Sequence, residues 1–234
     1  MMFRLLVVDI DGTITDGQRR LSLQAVEAVR RAEAAGLPVS LASGNVLPFV
    51  EAAAVLIGTS GPLIAEDGGA IAIGREVRFL GGREEVDRAL EVLRAELGVV
   101  ETRSSRLRVA GATIERTVGV EEVRRVLASH GFNLVAVDSG FAIHIKEPHV
   151  NKGNALRAVA ESLGISTDEI VAVADGPNDV ELLRCAGLGF AVANSPEEVK
   201  RAAGRVTGLP DGAGVAEIVD MILGGKIKPS RVNL

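Results

Sequence analysis

Residues Phe3–Gly17, FRLLVVDIDGTITDG, end an apolar run in two carboxylates, Asp9 and Asp11. A run of this kind crosses a core, and a core does not hold an unpartnered carboxylate, because desolvating the charge is prohibitively costly. Two carboxylates two residues apart, followed at once by Gly12-Thr13, indicate a cation and an anionic substrate meeting at one point. The rest of the chain must then supply positive charge and further oxygen ligands. It offers them in Ser43-Gly44-Asn45, in Lys152, and in Asp175-Gly176-Pro177-Asn178-Asp179.

Phosphoryl transfer is the chemistry this set suggests. A cation of the Mg2+ type prefers carboxylate oxygens, water and substrate phosphate, and Asp9, Asp175 and Asp179 can provide the carboxylates. A carboxylate can attack phosphorus and form an acyl phosphate that water later splits. Lys152, Ser43 and the backbone N–H groups after Asp9 would hold the phosphate. Asp11, further round the loop, would trade a proton with the leaving oxygen and the attacking water.

Each of these residues has a plainer reading: a solvated Asp-Gly turn for the opening pair, an exposed lysine at a helix start for Lys152, a turn cap for Ser43, a helix cap for Asn178. A lone Asp-x-Asp could also be the metal pair of a glycosyltransferase, but the nucleotide-sugar features that would accompany it are missing. Glu66-Asp67-Gly68-Gly69 reads as a turn near the same crevice, with Asp67 touching substrate or nothing. What outweighs the plain readings is that the clusters fall at the ends of successive predicted strands.

Those strands come from an alternating pattern. Residues 3–9, 37–42 and 63–65 read as strands, separated by helices over 21–35 and 48–57. Such alternation predicts a parallel α/β sheet with covered faces, whose carboxyl ends line the ligand crevice. The texture changes after Gly81-Gly82. Helices are expected over 83–97 and 118–130, a strand is expected from the alternation in Arg106-Leu107-Arg108-Val109, and a hairpin turning at Asp138-Ser139-Gly140 joins 134–137 to 141–146. The order helix, two strands, helix, two strands describes a small inserted α+β unit, residues 82–148, in a core of residues 1–81 and 149–234. The core then resumes with helices over 152–163, 178–185, 197–203 and 215–223, strands at 170–174 and 188–192, and a loosely docked tail after Gly225.

Composition narrows the setting. With a net charge of −5 and no basic tract, nothing points to nucleic acid. No apolar stretch reaches the ~20 residues of a membrane helix, and no signal peptide is expected. The single cysteine, Cys185, excludes an intrachain disulfide and reads as a small buried apolar residue. His130 and His149 read as a helix end and a loop residue, and three scattered histidines make no zinc constellation. A soluble cytoplasmic protein, monomer or homodimer, is the default.

The four motifs, in this order, resemble those of the haloacid dehalogenase-like hydrolase superfamily, in the branch with an α/β cap inserted after the second motif. The first motif corresponds to Asp9-Ile10-Asp11-Gly12-Thr13, the second to Ser43, the third to Lys152, and the fourth to Asp175 with Asp179. The resemblance implies a Rossmann-like parallel-sheet core with an inserted α+β cap. It implies Asp9 as nucleophile, Asp11 as general acid/base, and Ser43 and Lys152 on the phosphate, with Gly44 and Asn178 as further phosphate-binding candidates. It also implies Mg2+ held by Asp9, Asp175 and the backbone carbonyl of Asp11, with Asp179 directly or through water.

Within that branch the short cap, Ile143-His144-Ile145, Asn151-Lys152-Gly153 and Ala174–Asp179 resemble archaeal phosphoglycolate phosphatases, although Ala174 stands where many relatives have Gly. Close relatives act on sucrose 6-phosphate, mannosyl-3-phosphoglycerate or assorted sugar phosphates. The implied activity is a Mg2+-dependent phosphomonoesterase acting on a small anionic metabolite, 2-phosphoglycolate first. A sugar-phosphate phosphatase or a phosphomutase is the nearest alternative. A non-catalytic phospho-acceptor module is disfavoured by the cap, since a lid serves a hydrolase by excluding water. The cap should select the substrate: Arg106, Arg108, His144 and Lys146, with Asn45 of the core, are the candidates for meeting a second anionic group. Alternation puts His144 and Lys146 on one strand face and turns Ile143 and Ile145 toward the helices.

Overall fold

In the computed structural model, which describes residues 2–229, the opening run forms β1 (Leu5–Asp9), buried along its whole length. An unbroken apolar strand of this kind belongs at the centre of a parallel sheet covered on both faces. The chain returns through α1 (Leu23–Ala34), where Ser22 accepts a capping bond from the Ala25 N–H. β2 (Val39–Ala42), α2 (Leu47–Ile57) and β3 (Leu63–Ala65) extend the parallel array beside β1. An antiparallel hairpin, β4 (Ala70–Ile73) and β5 (Glu76–Phe79), then completes that edge. The sheet is therefore mixed rather than purely parallel. The four-residue strands of this hairpin offer too little periodicity to separate them from a loop.

The inserted unit follows as α3 (Glu84–Leu97), β6 (Ala112–Ile114), α4 (Val120–Ser129), β7 (Val135–Asp138) and β8 (Ile143–Lys146). Its three strands run in the order β6-β8-β7, all antiparallel. Ile143 and Ile145 face the two helices in an apolar cluster with Leu90, Leu93, Val123 and Leu127. Two expectations are corrected here. Arg106–Val109 is not a strand: Ser105–Leu107 makes a 3-10 turn, and its alternation arises because Arg108 turns inward toward the core sheet. The second strand expected between the helices is reduced to one bridge, Glu101 to Ile114.

The core resumes with α5 (Lys152–Leu163), β9 (Ile170–Ala174), α6 (Val180–Cys185), β10 (Leu188–Ala191), α7 (Glu197–Ala203) and α8 (Asp211–Leu223). The large sheet reads β10-β9-β1-β2-β3-β4-β5, with apolar clusters on both faces. The molecule is thus a Rossmann-like α/β core carrying a small α+β cap.

Three local differences from the sequence expectation have clear causes. α8 begins four residues early because Gly212 and Gly214, poor helix formers, sit inside it. A Cβ at Gly212 would collide with Ser22, so a small residue is what lets α8 lie against α1. Cys185 is half-buried rather than enclosed, and burial pushes its thiol pKa up. The segment after Gly225 is not loose at its start, since Ile227 packs into the apolar cluster under β1; residues 230–234 lie outside the described residues.

Candidate active site

β1 and β9 are parallel neighbours, so the segments leaving their carboxyl ends meet. After Asp9 the backbone turns sharply: the Ile10 carbonyl accepts from the N–H groups of Ile14 and Thr15, both at 3.1 Å, and from the Thr15 hydroxyl at 3.1 Å. Gly12 takes φ +90°, and a Cβ there would run into the Asp175 carboxylate. Only glycine meets both demands. Thr13 then donates its hydroxyl to Asp175 Oδ1 at 2.8 Å, and Asn194 donates to the Gly12 carbonyl at 3.2 Å.

Lys152 is the first residue of α5, whose N-cap Asn151 accepts from Asn154 N at 2.8 Å. Its side chain is fully buried, with Nζ 2.6 Å from Asp9 Oδ1 and 2.5 Å from Asp179 Oδ1. A cation at a helix N-terminus is opposed by the helix dipole, and a buried one is unsupportable without anions. Both demands are answered by this pair of carboxylates. Burial alone would lower the Lys152 pKa, but Asp179 and Asp9 outweigh it and raise it. Asp179 is fixed in turn by the Gly176 N–H, 3.0 Å from its Oδ2.

Burial and the neighbouring Asp179 and Asp175 push the Asp9 carboxyl well above the usual carboxylate range, against the pull of Lys152. Burial and Asp179 likewise push Asp175 up to about 7, with the Thr13 hydrogen bond opposing. Asp9, Asp175 and Asp179 each present a ligand atom, all within 4.8 Å of one another. Three carboxylates sharing one lysine leave an excess of negative charge, and the donors are all oxygen. A hard divalent cation such as Mg2+ fits that donor set.

Asp11 lies at the rim of the same pocket. Its Oδ1 accepts from Arg19 Nε at 2.7 Å and its Oδ2 from Asn45 Nδ2 at 2.6 Å. Ser43, fully buried at the end of β2, accepts from the Asn45 N–H at 3.0 Å and from its amide at 3.1 Å. Asp11, Arg19 and Asn45 line a cavity of about 180 Å3 with Asp9, Asp175, Gly44, Arg108 and His144, and Ser43 lies behind that lining. A larger groove of about 750 Å3, between the cap and α6, is lined by Lys146 and Arg124 but by none of Asp9, Asp11, Asp175 and Asp179.

The cap candidates separate. Arg108 reaches inward, and its Nη2 donates to the Gly44 carbonyl. His144 places Nδ1 2.5 Å from Asp67 Oδ2 and Nε2 3.2 Å from the Ser139 hydroxyl. Lys146 lies 3.8 Å from Asp67 and borders the larger groove, not the small cavity. Arg106 is exposed on the outer side of the cap beside Arg103 and Leu107, away from the crevice. Asn178 does not cap α6 and does not reach Asp9; its amide donates to Asp67 Oδ1 at 2.8 Å.

Asp67, expected in a turn where it touches substrate or nothing, is therefore the junction between core and cap. Glu66 beside it accepts from the Val109 and Ala110 N–H groups of the cap loop, at 2.9 and 3.0 Å. Both acids are buried and both have positive φ, +54° and +56°, a conformation that persists only where surrounding contacts enforce it. The available signal was two acids placed directly after a strand on the carboxyl edge. Nothing in the sequence pattern marks Arg19; besides holding Asp11, its guanidinium lies 5.2 Å from the centroid of the Phe141 ring at the cap hairpin.

Comparison with known proteins adds to this geometry. A family model described as haloacid dehalogenase-like hydrolase matches residues 6–79 and 113–219. The chain is 44% identical over 221 residues to a phosphoglycolate phosphatase of Methanothermobacter thermautotrophicus, covering 94% of this chain and 99% of that protein. It is 42% identical over 227 residues to a phosphoglycolate phosphatase of Methanopyrus kandleri, covering 95% and 98%. Among solved structures it superposes on Thermoplasma acidophilum protein 0175 with a TM-score of 0.88 at 28% identity, covering 95% and 99%. A haloacid dehalogenase-like hydrolase from Bacteroides thetaiotaomicron, at 22% identity and a TM-score of 0.77 over 94% and 99%, shares the fold. No helix among the described residues is long and apolar enough to cross a membrane.

Proposed function

The chain belongs to the haloacid dehalogenase-like hydrolase family as a magnesium-dependent phosphatase, and on that premise we propose that it hydrolyses 2-phosphoglycolate to glycolate and phosphate. The observation that carries this reading is Asp9, at the end of the central strand, bound to a buried lysine and within 4.8 Å of two further carboxylates.

Asp9 is the nucleophile. One of its carboxylate oxygens forms a bond to phosphorus as the bond from phosphorus to the glycolate oxygen breaks, and Asp11 gives that oxygen its proton. Asp11 then takes a proton from water, whose oxygen attacks the aspartyl phosphate. Phosphate leaves and the Asp9 carboxylate is restored. Arg19 and Asn45 orient Asp11 for both transfers. Lys152 holds Asp9 in place and offsets the charge that gathers as phosphate approaches, while Ser43 and the backbone N–H groups after Asp9 and at Gly44 receive the phosphate oxygens. Magnesium, when held by Asp9, Asp175 and Asp179 with the Asp11 carbonyl, would draw the phosphate dianion in and stabilise charge developing on it.

The choice of substrate is supported by the names of the relatives and by the size of the cavity. At about 180 Å3 it falls well below the ~300–1,000 Å3 typical of drug-sized ligands, which suits a two-carbon phosphate ester and crowds out a disaccharide phosphate. We assign residues 1–81 and 149–234 to the catalytic core and 82–148 to the cap, a division supported by the cap having its own sheet and apolar cluster. A cytoplasmic monomer or homodimer completes the reading, in keeping with a single unpaired cysteine.

The test is phosphate release with Mg2+ from 2-phosphoglycolate, sucrose 6-phosphate, mannosyl-3-phosphoglycerate and hexose phosphates, with isomerised product scored alongside. We expect kcat/KM for 2-phosphoglycolate to lead by at least about tenfold, the difference a few poorly placed contacts make. A sugar phosphate in first place, or isomer without free phosphate, overturns the assignment.

A further inference from the structure

Most cations near the small cavity are already matched. Arg19 is bound to Asp11, His144 and Lys146 lie against Asp67, and Lys152 is shared by Asp9 and Asp179. Arg108 is different. It lines the cavity, the residue is only 7% exposed, and among the described residues it forms no ion pair. The two carboxylates that influence it are engaged elsewhere: Asp67 with His144 and Asn178, Glu66 with the Val109 and Ala110 N–H groups. One of its N–H groups goes to the Gly44 carbonyl, and its Nε is buried without an acceptor.

A guanidinium carries five N–H donors and keeps its charge in proteins. Burying one unpaired is among the costlier arrangements a fold can hold. Burial pulls the Arg108 pKa below the usual arginine value despite Asp67 and Glu66, which reflects the same shortage of partners. The side chain does not reach the cavity by accident of a loose loop. The two residues after it are pinned by Glu66, whose own positive-φ backbone is buried in the core.

We propose that Arg108 is the specificity-determining residue of this site: its guanidinium receives a carboxylate on the substrate's carbon chain, so the enzyme selects small phosphorylated carboxylic acids over phosphate esters that lack a second charge. The inference rests on the phosphatase reading for the position of the phosphate. With phosphorus at Asp9, the other end of a short ester extends toward the cap loop. A planar carboxylate matches the planar fork of a guanidinium. The roof beside it presents the neutral hydroxyls of Thr102 and Thr113.

The test is calorimetric binding with Mg2+ to the hydrolysis-blocked Asp9→Asn protein, comparing 2-phosphoglycolate with ethyl phosphate. The inference predicts that 2-phosphoglycolate binds about 100-fold more tightly, the scale of a desolvated charge pair. The ratio should collapse toward one when Arg108→Gln is added, and Arg108→Lys, which keeps the charge but not the fork, should restore part of it. Melting curves confirm that each variant is folded, and the lysine variant carries the test if the glutamine variant is not.

A ratio that survives Arg108→Gln, or the absence of any preference in the parent, overturns the inference. The two readings fail separately. If the wild type releases phosphate from neither ester while the binding ratio still depends on Arg108, the function falls and the subsite stands. If both esters are hydrolysed equally well by the wild type, the phosphatase stands and the subsite falls.

Discussion

Lys152 Nζ lies 2.6 Å from Asp9 Oδ1, so the carboxylate proposed to attack phosphorus is held by a cation with no exposure to solvent. The same ammonium is 2.5 Å from Asp179, which makes it the counter-ion of two acids at once. Removing one member of a buried charge set costs about 3–5 kcal/mol, because the others are left uncompensated. Lys152→Met should therefore lose stability on that scale in urea melts without metal, and kcat should fall by at least about 1,000-fold, as for loss of a strong electrostatic stabiliser. A variant that keeps wild-type stability and turnover would show that the ammonium balances nothing.

The junction between cap and core is Asp67, and it carries a pH signature. Burial would raise its carboxyl, but His144 and Lys146 hold it well below the usual carboxylate range. In the unfolded chain the group titrates at the ordinary aspartate value of about 3.9. Stability from the charged form is thus fully present above pH ~4 and is lost as the pH falls toward the folded pKa, since the unfolded state takes up its proton first. Asp67→Asn should be about 3 kcal/mol less stable at pH 7, and the gap to wild type should close on acidification below pH ~4. Urea melts from pH 7 to pH 3 measure it, and a gap that stays constant would rule out the charge as its source.

Gly12 tests how closely the two catalytic loops must approach. Its φ of +90° and the position of Asp175 leave no room for a Cβ. Gly12→Ala should cost about 1–3 kcal/mol in backbone strain and displace the Asp175 carboxylate. Magnesium affinity, followed by titration calorimetry, should weaken with it. Unchanged magnesium affinity in a folded variant would mean that Asp175 tolerates the shift.

Metal removal gives an independent reading of the carboxylate cluster. With magnesium at about 100 times its Kd, binding to the folded state should stabilise the protein by about 2.7 kcal/mol. Adding EDTA should remove both this increment and phosphatase activity. Asp175→Asn, lacking one of the three ligand oxygens, should show a much smaller increment under the same conditions. An equal increment in both proteins would place the metal elsewhere.

Much of this arrangement is legible in the sequence because its parts are local. The run before Asp9 has no polar interruption, so the strand and its buried end can be read together, and Asp9, Lys152, Asp175 and Asp179 do converge. What could not be read depends on long-range pairing. Asp67 sits in an acid-Gly-Gly stretch that looks like a solvated turn, and only the distant His144 and Asn178 reveal it as buried. The alternation at Arg106–Val109 fits a strand equally well until Glu66 binds the following N–H groups and draws Arg108 inward, leaving Arg106 outside. The β4–β5 hairpin is held by its pairing with β3 more than by any pattern of its own.

The central claim is that Asp9 attacks phosphorus. Acid quenching during turnover of phosphorus-labelled 2-phosphoglycolate, followed by peptide mapping, tests it most directly. The account predicts label on Asp9 in the wild type, with no label and phosphate release down by at least about 10,000-fold in Asp9→Asn, as for loss of a nucleophile. Label on another residue, or turnover in Asp9→Asn within about tenfold of wild type, would contradict it.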